Sequence, residues 1–394
     1  MNKKTVKDIN VANKRVLLRC DLNVPLDENF KITDDTRING ALPTIDYLVE
    51  QGAKIVLCSH LGRPKGEVNP KFSLKPVADE LKKRSYNIVF ASDVIGEDAK
   101  AKAAALQNGE ILLLENLRFH KEETDNDPEF AKALAEFADV YVNDAFGAAH
   151  RAHASTAGVA QYLPAVSGFL LQKELQVLGD MLENPKHPFV AIMGGAKVSD
   201  KIPVIKNLMN IADTIIIGGG MAYTFAKALG GKIGKSICED DKIALALEII
   251  GDAMEKNVRI VLPVDTVATK EFSNDSPAKV FSTRAIDDDY SGMDIGEKTR
   301  EIFANDLRDA KTVIWNGPMG VFEFDNFAKG TFKIAKTLAE LDDCMTIIGG
   351  GDSAAAVKKL GYGDKMGHIS TGGGASLEFI EGKELPGVAA LNDK

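Results

Sequence analysis

Basic side chains follow several apolar segments in the first half of the sequence. They are His60 and Arg63, Arg118 and Arg151, together with Arg37 in the segment DDTRING. A guanidinium group binds phosphate or carboxylate through two parallel hydrogen bonds. If the apolar segments are parallel strands, these side chains meet at the sheet edge where ligands of α/β proteins bind. We expect a site for a small, strongly anionic ligand; the alternative is that each arginine forms a separate surface ion pair.

Two further polar residues, Asp21 and Asn23, lie in RCDLNVP just past the apolar run RVLLRC. A carboxylate and an amide at this position suit contacts to a hydroxyl group of the ligand. Asp21 could instead be a metal ligand or an ordinary turn residue.

Glycine clusters occupy the corresponding places in the second half of the chain. They are Gly194-Gly195, Gly218-Gly219-Gly220, Gly349-Gly350-Gly351 and Gly372-Gly373-Gly374. Glycine lets a ligand approach the backbone closely, and a helix start attracts anions. We therefore expect nucleotide phosphates at these turns, although a tight strand-to-helix turn would also explain the cluster at 349–351.

Charged residues accompany two of these clusters. In MGGAKVSDK (193–201) we expect a helix that carries Lys197 and Lys201 on one face. Asp352 opens another helix, and its carboxylate either holds Mg²⁺ that bridges phosphates or caps the helix. A third segment, GGKIGKS (230–236), resembles a phosphate-binding loop but lacks the first glycine and follows a helical segment. Its glycines therefore predict a helix end.

An anion site and a nucleotide site together suggest phosphoryl transfer with closure of two lobes. The sequence contains no HExxH, GxSxG or Cys/His metal pattern and offers no obvious general base. An acceptor that is already ionised, such as a carboxylate, needs charge neutralisation rather than deprotonation. Arginine, lysine and Mg²⁺ would supply that neutralisation.

The elements that would carry these residues follow from the hydrophobic pattern. Short β-branched runs alternate with amphipathic segments along the whole chain, which predicts βαβ units and parallel sheets. The predicted strands are 15–20, 54–59, 111–116 and 139–144, then 189–194, 214–219, 259–264, 312–317 and 346–350. Leucines at three- and four-residue spacing predict a helix over 168–185, to which we assign the domain junction.

Composition narrows the functional class. The formal net charge of −9 argues against general binding to nucleic acid or to an anionic membrane surface. The four cysteines form no CxxC pair, and no apolar stretch reaches the ~18 residues of a membrane span. The segment MNKKTVKDINVANKR lacks the apolar core of a secretory signal. We expect a cytoplasmic protein.

Nine motifs occur in the order seen in the phosphoglycerate kinase family, which the chain resembles over essentially its full length. They are RCDLNVP, SHLGRPKG, LLLENLRFHKEE, VNDAFGAAHRAHAS, GGAKVSDKI, GGGMAYTF, WNGPMGVFE, GGGDSAAA and STGGGASLE. The resemblance implies two doubly wound parallel-sheet, Rossmann-like α/β lobes joined by a hinge helix. We expect an N-terminal 3-phosphoglycerate lobe at 1–170, on which a C-terminal tail at 381–394 packs, and a nucleotide lobe at 171–380.

The resemblance also implies an activity and its residues. The activity is reversible transfer of a phosphoryl group from 1,3-bisphosphoglycerate to ADP, which gives ATP and 3-phosphoglycerate, by a monomer that uses Mg²⁺ with its nucleotide. The residues that look like the 3-phosphoglycerate site are Asp21, Asn23, Arg37, His60, Arg63, Arg118 and Arg151. Those that look like the catalytic groups are Arg37, Lys197 and the N–H groups of Gly373 and Gly374. Those that look like the nucleotide site are Gly195, Lys201, Gly219, Gly292, Pro318, Glu323, Gly350, Gly351, Asp352 and Ser353, with Asp352 on the metal.

Two other classes of protein remain alternatives at this point. A nicotinamide dehydrogenase should show a GxGxxG fingerprint after a strand, which the sequence lacks. A two-lobed solute-binding protein would bind an anion without chemistry, but it has no use for Lys197 and Lys201. Formation of product would separate an enzyme from a binding protein or from an inactive relative of the kinases.

Overall fold

The computed structural model describes residues 2–394, which form two compact units. The first unit extends to Val177 and also includes Glu384–Lys394, whereas the second is Leu178–Lys383. The boundary lies within the helix Phe169–Glu183. The domain boundary that we expect at 170/171 lies on this helix as well.

The first unit is built on a six-stranded parallel sheet. Its strands are β1 (Arg15–Cys20), β2 (Lys54–Cys58), β3 (Ile88–Phe90), β4 (Ile111–Leu113), β5 (Val140–Asp144) and β6 (Ala165–Ser167). The strand order is β3-β4-β2-β1-β5-β6, so β1 lies inside the sheet between β2 and β5. Val16, Leu17 and Leu18 are fully buried because helices cover both faces of such a sheet.

Helices follow the strands of this sheet along the chain. They are α1 (Thr36–Glu50), α2 (Lys75–Lys83), α3 (Glu97–Ala105), α4 (Lys121–Thr124), α5 (Pro128–Ala135) and α6 (Phe169–Glu183). The buried side chains of α1, among them Ile38, Ile45 and Leu48, pack in one core cluster with Val16 and Leu18 of β1.

The second unit contains another six-stranded parallel sheet and two small sheets. Its strands are β7 (Phe189–Met193), β8 (Thr214–Ile217), β9 (Lys232–Ile233), β10 (Arg259–Val261), β11 (Asp265–Thr269), β12 (Ala278–Ser282), β13 (Ala285–Ile286), β14 (Ser291–Ile295), β15 (Thr312–Asn316), β16 (Met345–Gly349) and β17 (His368–Ile369). The main sheet has the order β10-β8-β7-β15-β16-β17, and β12-β11-β14 and β13-β9 form the small sheets. Fully buried Trp315 on β15 anchors the core of the main sheet.

The helices of the second unit alternate with its strands along the chain. They are α7 (Ile202–Leu208), α8 (Met221–Ala228), α9 (Ile243–Glu255), α10 (Glu297–Leu307), α11 (Lys329–Ala339), α12 (Gly351–Lys359) and α13 (Gly374–Ile380). The last helix of the chain, α14 (Pro386–Ala389), belongs to the first unit. There the amide of Asn143 donates to the carbonyl of Gly387 at 3.1 Å, and Asn392 N–H donates to the carbonyl of Ala165 at 2.9 Å.

The predicted fold class of two parallel-sheet α/β units is confirmed, and every predicted strand is present within a few residues of its expected bounds. The sequence pattern missed β3, β6 and β17, which are two or three residues long. The expected helix end at Gly230 is confirmed, since α8 stops at Ala228 and Gly230 has a φ of 81°.

Candidate functional site

The first unit has a basic cavity at the carboxyl ends of its strands. Arg63, Arg118, Arg151 and His153 line this cavity, whose volume is about 410 Å³. Arg118 lies in a short 3₁₀ turn after β4, where the side chain of Asn116 accepts from the N–H of Arg118 at 3.0 Å. Its guanidinium donates to the carbonyl of Gly62 at 2.9 Å, which leaves most of its donors for a ligand. The structure thus brings three of the predicted arginines together.

Asp21, Asn23 and Arg37 form a second group in the same unit. Arg37, in the first turn of α1, makes an ion pair with Asp21. The side-chain oxygen of Asn23 accepts from the N–H of Gly62 at 2.8 Å, and the N–H of Asn23 donates to Asp21 at 3.2 Å. Asp21 is therefore held by a cation, and no group of three or more His, Cys, Asp or Glu residues suited to a metal exists among residues 2–394.

The electrostatics of this unit favour an anionic ligand. Burial lowers the pKa of His60 well below its usual value, and the nearby charges of Arg19 and Arg118 lower it further. Burial likewise lowers the pKa of His153 to about 4, assisted by Arg118. Both imidazoles are therefore neutral near pH 7, and the arginines supply the positive charge. Burial raises the pKa of Asp21, but the neighbouring cations outweigh burial and the net shift is downward.

The second unit has a larger cavity of about 560 Å³. It is lined by predicted nucleotide residues from the turns after several strands, namely Gly195, Gly219, Gly292, Pro318, Glu323 and Asp352. Apolar side chains that the sequence pattern did not single out complete the wall, namely Tyr223, Ile237, Phe272 and Met319. A cavity of this size with apolar walls and few polar groups suits a nucleoside.

The expected helix that would carry Lys197 and Lys201 on one face is wrong. Residues 194–201 form a loop, and α7 begins only at Ile202, with Pro203 in its first turn. The loop is held instead by Ser199, whose N–H donates to Glu239 at 3.0 Å. Proline favours the first turn of a helix, so this helix starts later than the lysine spacing suggests. Lys197 is exposed on the loop and does not line the cavity.

Lys201 contacts Asn316, a residue that the sequence pattern did not identify. Its ammonium group donates to the side-chain oxygen of Asn316, the last residue of β15. The Nδ2 of Asn316 is buried and has no hydrogen-bond partner, and it lies close to Gly349 and Gly350. A buried amide donor beside a glycine turn is a contact that an incoming oxygen anion can satisfy. The motif WNGPMG contains Asn316, but an asparagine at a strand end carries no signal by its spacing.

The glycine turn after β16 leads directly into α12. Gly350, with a φ of 85°, is the N-cap of α12, so the alternative role of Asp352 as a helix cap is wrong. The side chain of Asp352 is exposed and lines the cavity, whereas Ser353 is fully buried and its hydroxyl accepts from the N–H of Gly317 at 2.8 Å. Ser353 therefore offers no exposed group to a ligand, whereas Gly351 at the start of the helix is exposed and its N–H has no partner within the helix.

Gly373 and Gly374 lie at the last of the glycine turns. Gly373 has a φ of 49° and precedes α13, and exposed Gly374 is the first residue of that helix. The first N–H groups of a helix have no partner within it. This turn does not line the cavity of about 560 Å³.

Asp352 is the residue that would hold Mg²⁺. In this unit it is the one carboxylate that both lines the cavity and begins a glycine-led helix. Magnesium in nucleotide enzymes is bound by one or two carboxylates together with substrate phosphates, rather than by an all-protein cage. The residues present fit a metal that arrives with the nucleotide.

Two parallel-sheet units, one with an arginine-lined cavity and the other with a glycine-lined cavity, are typical of a two-domain α/β protein that binds two anionic ligands. The family model described as "Phosphoglycerate kinase" matches residues 6–383. The chain belongs to the phosphoglycerate kinase family. The predictions of a kinase and of phosphoryl transfer in glycolysis are thereby confirmed.

Individual relatives agree with this assignment. The chain is similar to proteins named "Phosphoglycerate kinase" from Clostridium perfringens, at 59% identity over 100% of this chain and 99% of the relative, and from Clostridium kluyveri, at 57% identity over the same shares. Its structure resembles that of phosphoglycerate kinase from Coxiella burnetii, with a TM-score of 0.89, 44% identity and 98% of each chain covered. It also resembles the enzyme from Pyrococcus horikoshii OT3, with a TM-score of 0.85, 35% identity and the same coverage.

Proposed function

We propose that the first unit binds 3-phosphoglycerate or 1,3-bisphosphoglycerate through its basic cavity and the group formed by Asp21, Asn23 and Arg37. The observation that carries this assignment is the convergence of three arginines and His153 on one cavity. Arginines grip the phosphate, and the carboxylate and amide recognise the hydroxyl. His60 lies at the end of β2 beside Asp21 and contributes a neutral N–H donor.

The second unit, in this proposal, binds ADP or ATP. The adenosine occupies the cavity between Gly195, Gly219, Gly292 and Pro318, with Glu323 at its rim, and the phosphates extend toward Lys201 and the start of α12. The backbone N–H groups there face an anion with the positive end of the helix dipole. Asp352 holds Mg²⁺, which when bound neutralises phosphate charge.

Transfer then depends on charge neutralisation rather than on a base. The acceptor carboxylate of 3-phosphoglycerate is ionised at neutral pH, so no proton has to be removed. The phosphoryl group in the transition state is stabilised by Arg37, Lys197 and the N–H groups of Gly373 and Gly374. Because the two ligands bind to different units, we propose a hinge movement at α6 that brings the reacting groups together and excludes water.

Calorimetric titration of paired variants tests whether the first unit binds 3-phosphoglycerate and the second unit binds ADP. Arg118→Ala should weaken 3-phosphoglycerate binding at least tenfold and leave ADP binding unchanged, since a charge-assisted hydrogen bond is lost. Asp352→Ala should abolish the gain in ADP affinity that Mg²⁺ provides and leave 3-phosphoglycerate binding unchanged. Lys102→Ala and Asp325→Ala are matched controls, because these residues pair with Asp98 and Lys359 away from both cavities. Loss of both ligands in either test variant would contradict the proposal.

A glycolytic role also favours a cytoplasmic location and, with the family resemblance, a monomer that binds neither nucleic acid nor membrane. No helix within residues 2–394 is long and apolar enough to cross a bilayer. Light scattering of the purified chain during gel filtration tests the oligomeric state, for which we expect the mass of one chain, 42.4 kDa.

A further inference from the structure

Arg19, on the central strand β1, is the largest charged side chain that is completely buried in the first unit, with 0% of its surface exposed. It makes three kinds of contact. Its Nε donates to the hydroxyl of Ser155 at 2.9 Å, its Nη1 donates to the carbonyl of Cys20 at 2.5 Å, and its Nη2 lies 3.1 Å from Nδ1 of His60. A buried cation is costly unless each donor is satisfied, and here each nitrogen has a partner.

The contact with His60 fixes where the imidazole carries its proton. A guanidinium group has donors only, so the nitrogen that faces it must accept. Nδ1 of His60 is therefore without a proton, and a neutral imidazole in that state carries its proton on Nε2. No protein group within residues 2–394 forms a hydrogen bond with Nε2, and His60 retains 6% exposure. The remaining N–H is free to meet a ligand.

We propose that Arg19 is a positioning residue that holds His60 in the Nε2–H form, so that the imidazole offers a donor, and not a lone pair, to the anionic substrate. The opposite tautomer would turn a lone pair toward the anion and repel it. This inference rests on the proposed function, which assigns His60 to the 3-phosphoglycerate site.

Ser155 and Glu123 hold the guanidinium of Arg19 in place through hydrogen bonds. The hydroxyl of Ser155 accepts from Arg19 and donates to Oε1 of Glu123 at 2.6 Å, and the N–H of Ser155 donates to Oε2 of Glu123 at 3.0 Å. Glu123 is also completely buried, so the two opposite charges share one dry interior. The chain Glu123–Ser155–Arg19–His60 thus connects α4 to the end of β2.

The charges around His60 agree with a neutral imidazole. Asp21 attracts a proton to it, whereas Arg19, Arg118 and Arg37 all oppose protonation, and burial lowers its pKa further. A neutral ring has two tautomers, so something has to choose between them. The guanidinium of Arg19 makes that choice, because it faces Nδ1 of His60 and carries donors only.

Nitrogen NMR of the full-length protein labelled with ¹⁵N-histidine tests the proposal directly. The tautomer is read from two-bond proton–nitrogen correlations, and the signals of His60 are identified by their loss in His60→Gln. We expect the wild type to show a single Nε2–H form for His60 before substrate is added. Arg19→Gln, whose side chain can accept as well as donate, should yield both forms and raise KM for 3-phosphoglycerate at least tenfold, with a smaller change in kcat. Arg19→Lys should recover part of both.

Controls separate positioning from simple loss of stability. Val140→Ala empties a buried site on neighbouring β5 without touching His60, so it should lower the unfolding midpoint but keep the tautomer and KM. Ser155→Ala should remove the hydrogen bond that holds Nε of Arg19. It should change the tautomer of His60 and KM for 3-phosphoglycerate in the same direction as Arg19→Gln. An Nδ1–H form of His60 in the wild type would overturn the proposal, as would an unchanged tautomer and KM in Arg19→Gln. If His60→Gln left KM unaltered, the assignment of His60 to the substrate site would have failed instead, while the spectra would still decide whether Arg19 holds Nδ1.

Discussion

Replacing Gly219 with alanine should distort the cavity of the second unit and weaken nucleotide binding. An added Cβ would lie 2.6 Å from the nitrogen of Gly195 and 2.7 Å from the carbonyl oxygen of Pro318, both of which are backbone atoms of the cavity wall. Side chains cannot approach backbone atoms so closely, so Gly195 and Pro318 must move. Gly219 also has a φ of 68°, which an L-residue adopts only with strain.

Gly230→Ala provides the matched control. Gly230 has a similar φ of 81°, yet no atom lies within 4 Å of an added Cβ there, and the residue does not line the cavity. Each variant should lose about 1–2 kcal/mol of unfolding free energy from the left-handed backbone. In Gly219→Ala, the close contacts of the added methyl group should cost roughly another 1–3 kcal/mol, as overpacking does elsewhere.

Two measurements decide the matter. Denaturant unfolding gives the free energy difference between the variants, and calorimetry gives the dissociation constant for ADP. We expect Gly219→Ala to bind ADP at least ~10-fold more weakly than wild type, which corresponds to ~1.4 kcal/mol. Gly230→Ala should bind ADP as the wild type does. Equal stability and equal ADP affinity in the two variants would refute the account of this cavity wall.

Three further predictions concern catalysis, packing and pH. Arg37→Ala should lower kcat by about 10²–10³-fold, as loss of one preorganised donor does, with little change in nucleotide affinity; comparable turnover would exclude a role in the transition state. Ser353→Ala should cost about 1–3 kcal/mol of stability by leaving the Gly317 N–H unpaired, yet keep ADP affinity, and a weakened affinity would show a side-chain contact. Burial raises the pKa of Asp294, which is 2% exposed, to about 7, so its ionised form destabilises the fold. That penalty grows as pH rises from about 4 to about 7, and Asp294→Asn should remove it; an unchanged pH dependence of unfolding in the variant would contradict the shift.

The alternation of apolar runs and amphipathic segments was sufficient to predict both large sheets. Runs such as RVLLRC and TVIWNG are buried on both faces, and that pattern needs no tertiary information. The small sheets were missed, although their strand β11 is mostly buried, because other strands in them are short or exposed. β12, for example, has four exposed residues out of five, so no hydrophobic period marks it.

Site residues were predictable where their chemistry is visible in the residue type. Arginines and glycines that follow strands are recognisable in this way. Several of the predicted arginines line the cavity of the first unit, and several of the predicted glycines line the cavity of the second. Arg19 and Asn316 were not predictable, because their roles come from the side chains that surround them in the fold. The failed helix at Lys197 has a similar cause, since the position of Pro203 and the contact from Glu239 outweigh the lysine spacing.

We propose that one chain binds both ligands and transfers a phosphoryl group between them. A coupled assay tests this claim most directly, with 3-phosphoglycerate, ATP and Mg²⁺ supplied, and glyceraldehyde-3-phosphate dehydrogenase and NADH following the 1,3-bisphosphoglycerate formed. We predict loss of NADH absorbance that requires the protein, 3-phosphoglycerate and Mg²⁺ together. Binding of both ligands by calorimetry without any loss of NADH would contradict the claim, because the cavities would then serve binding alone.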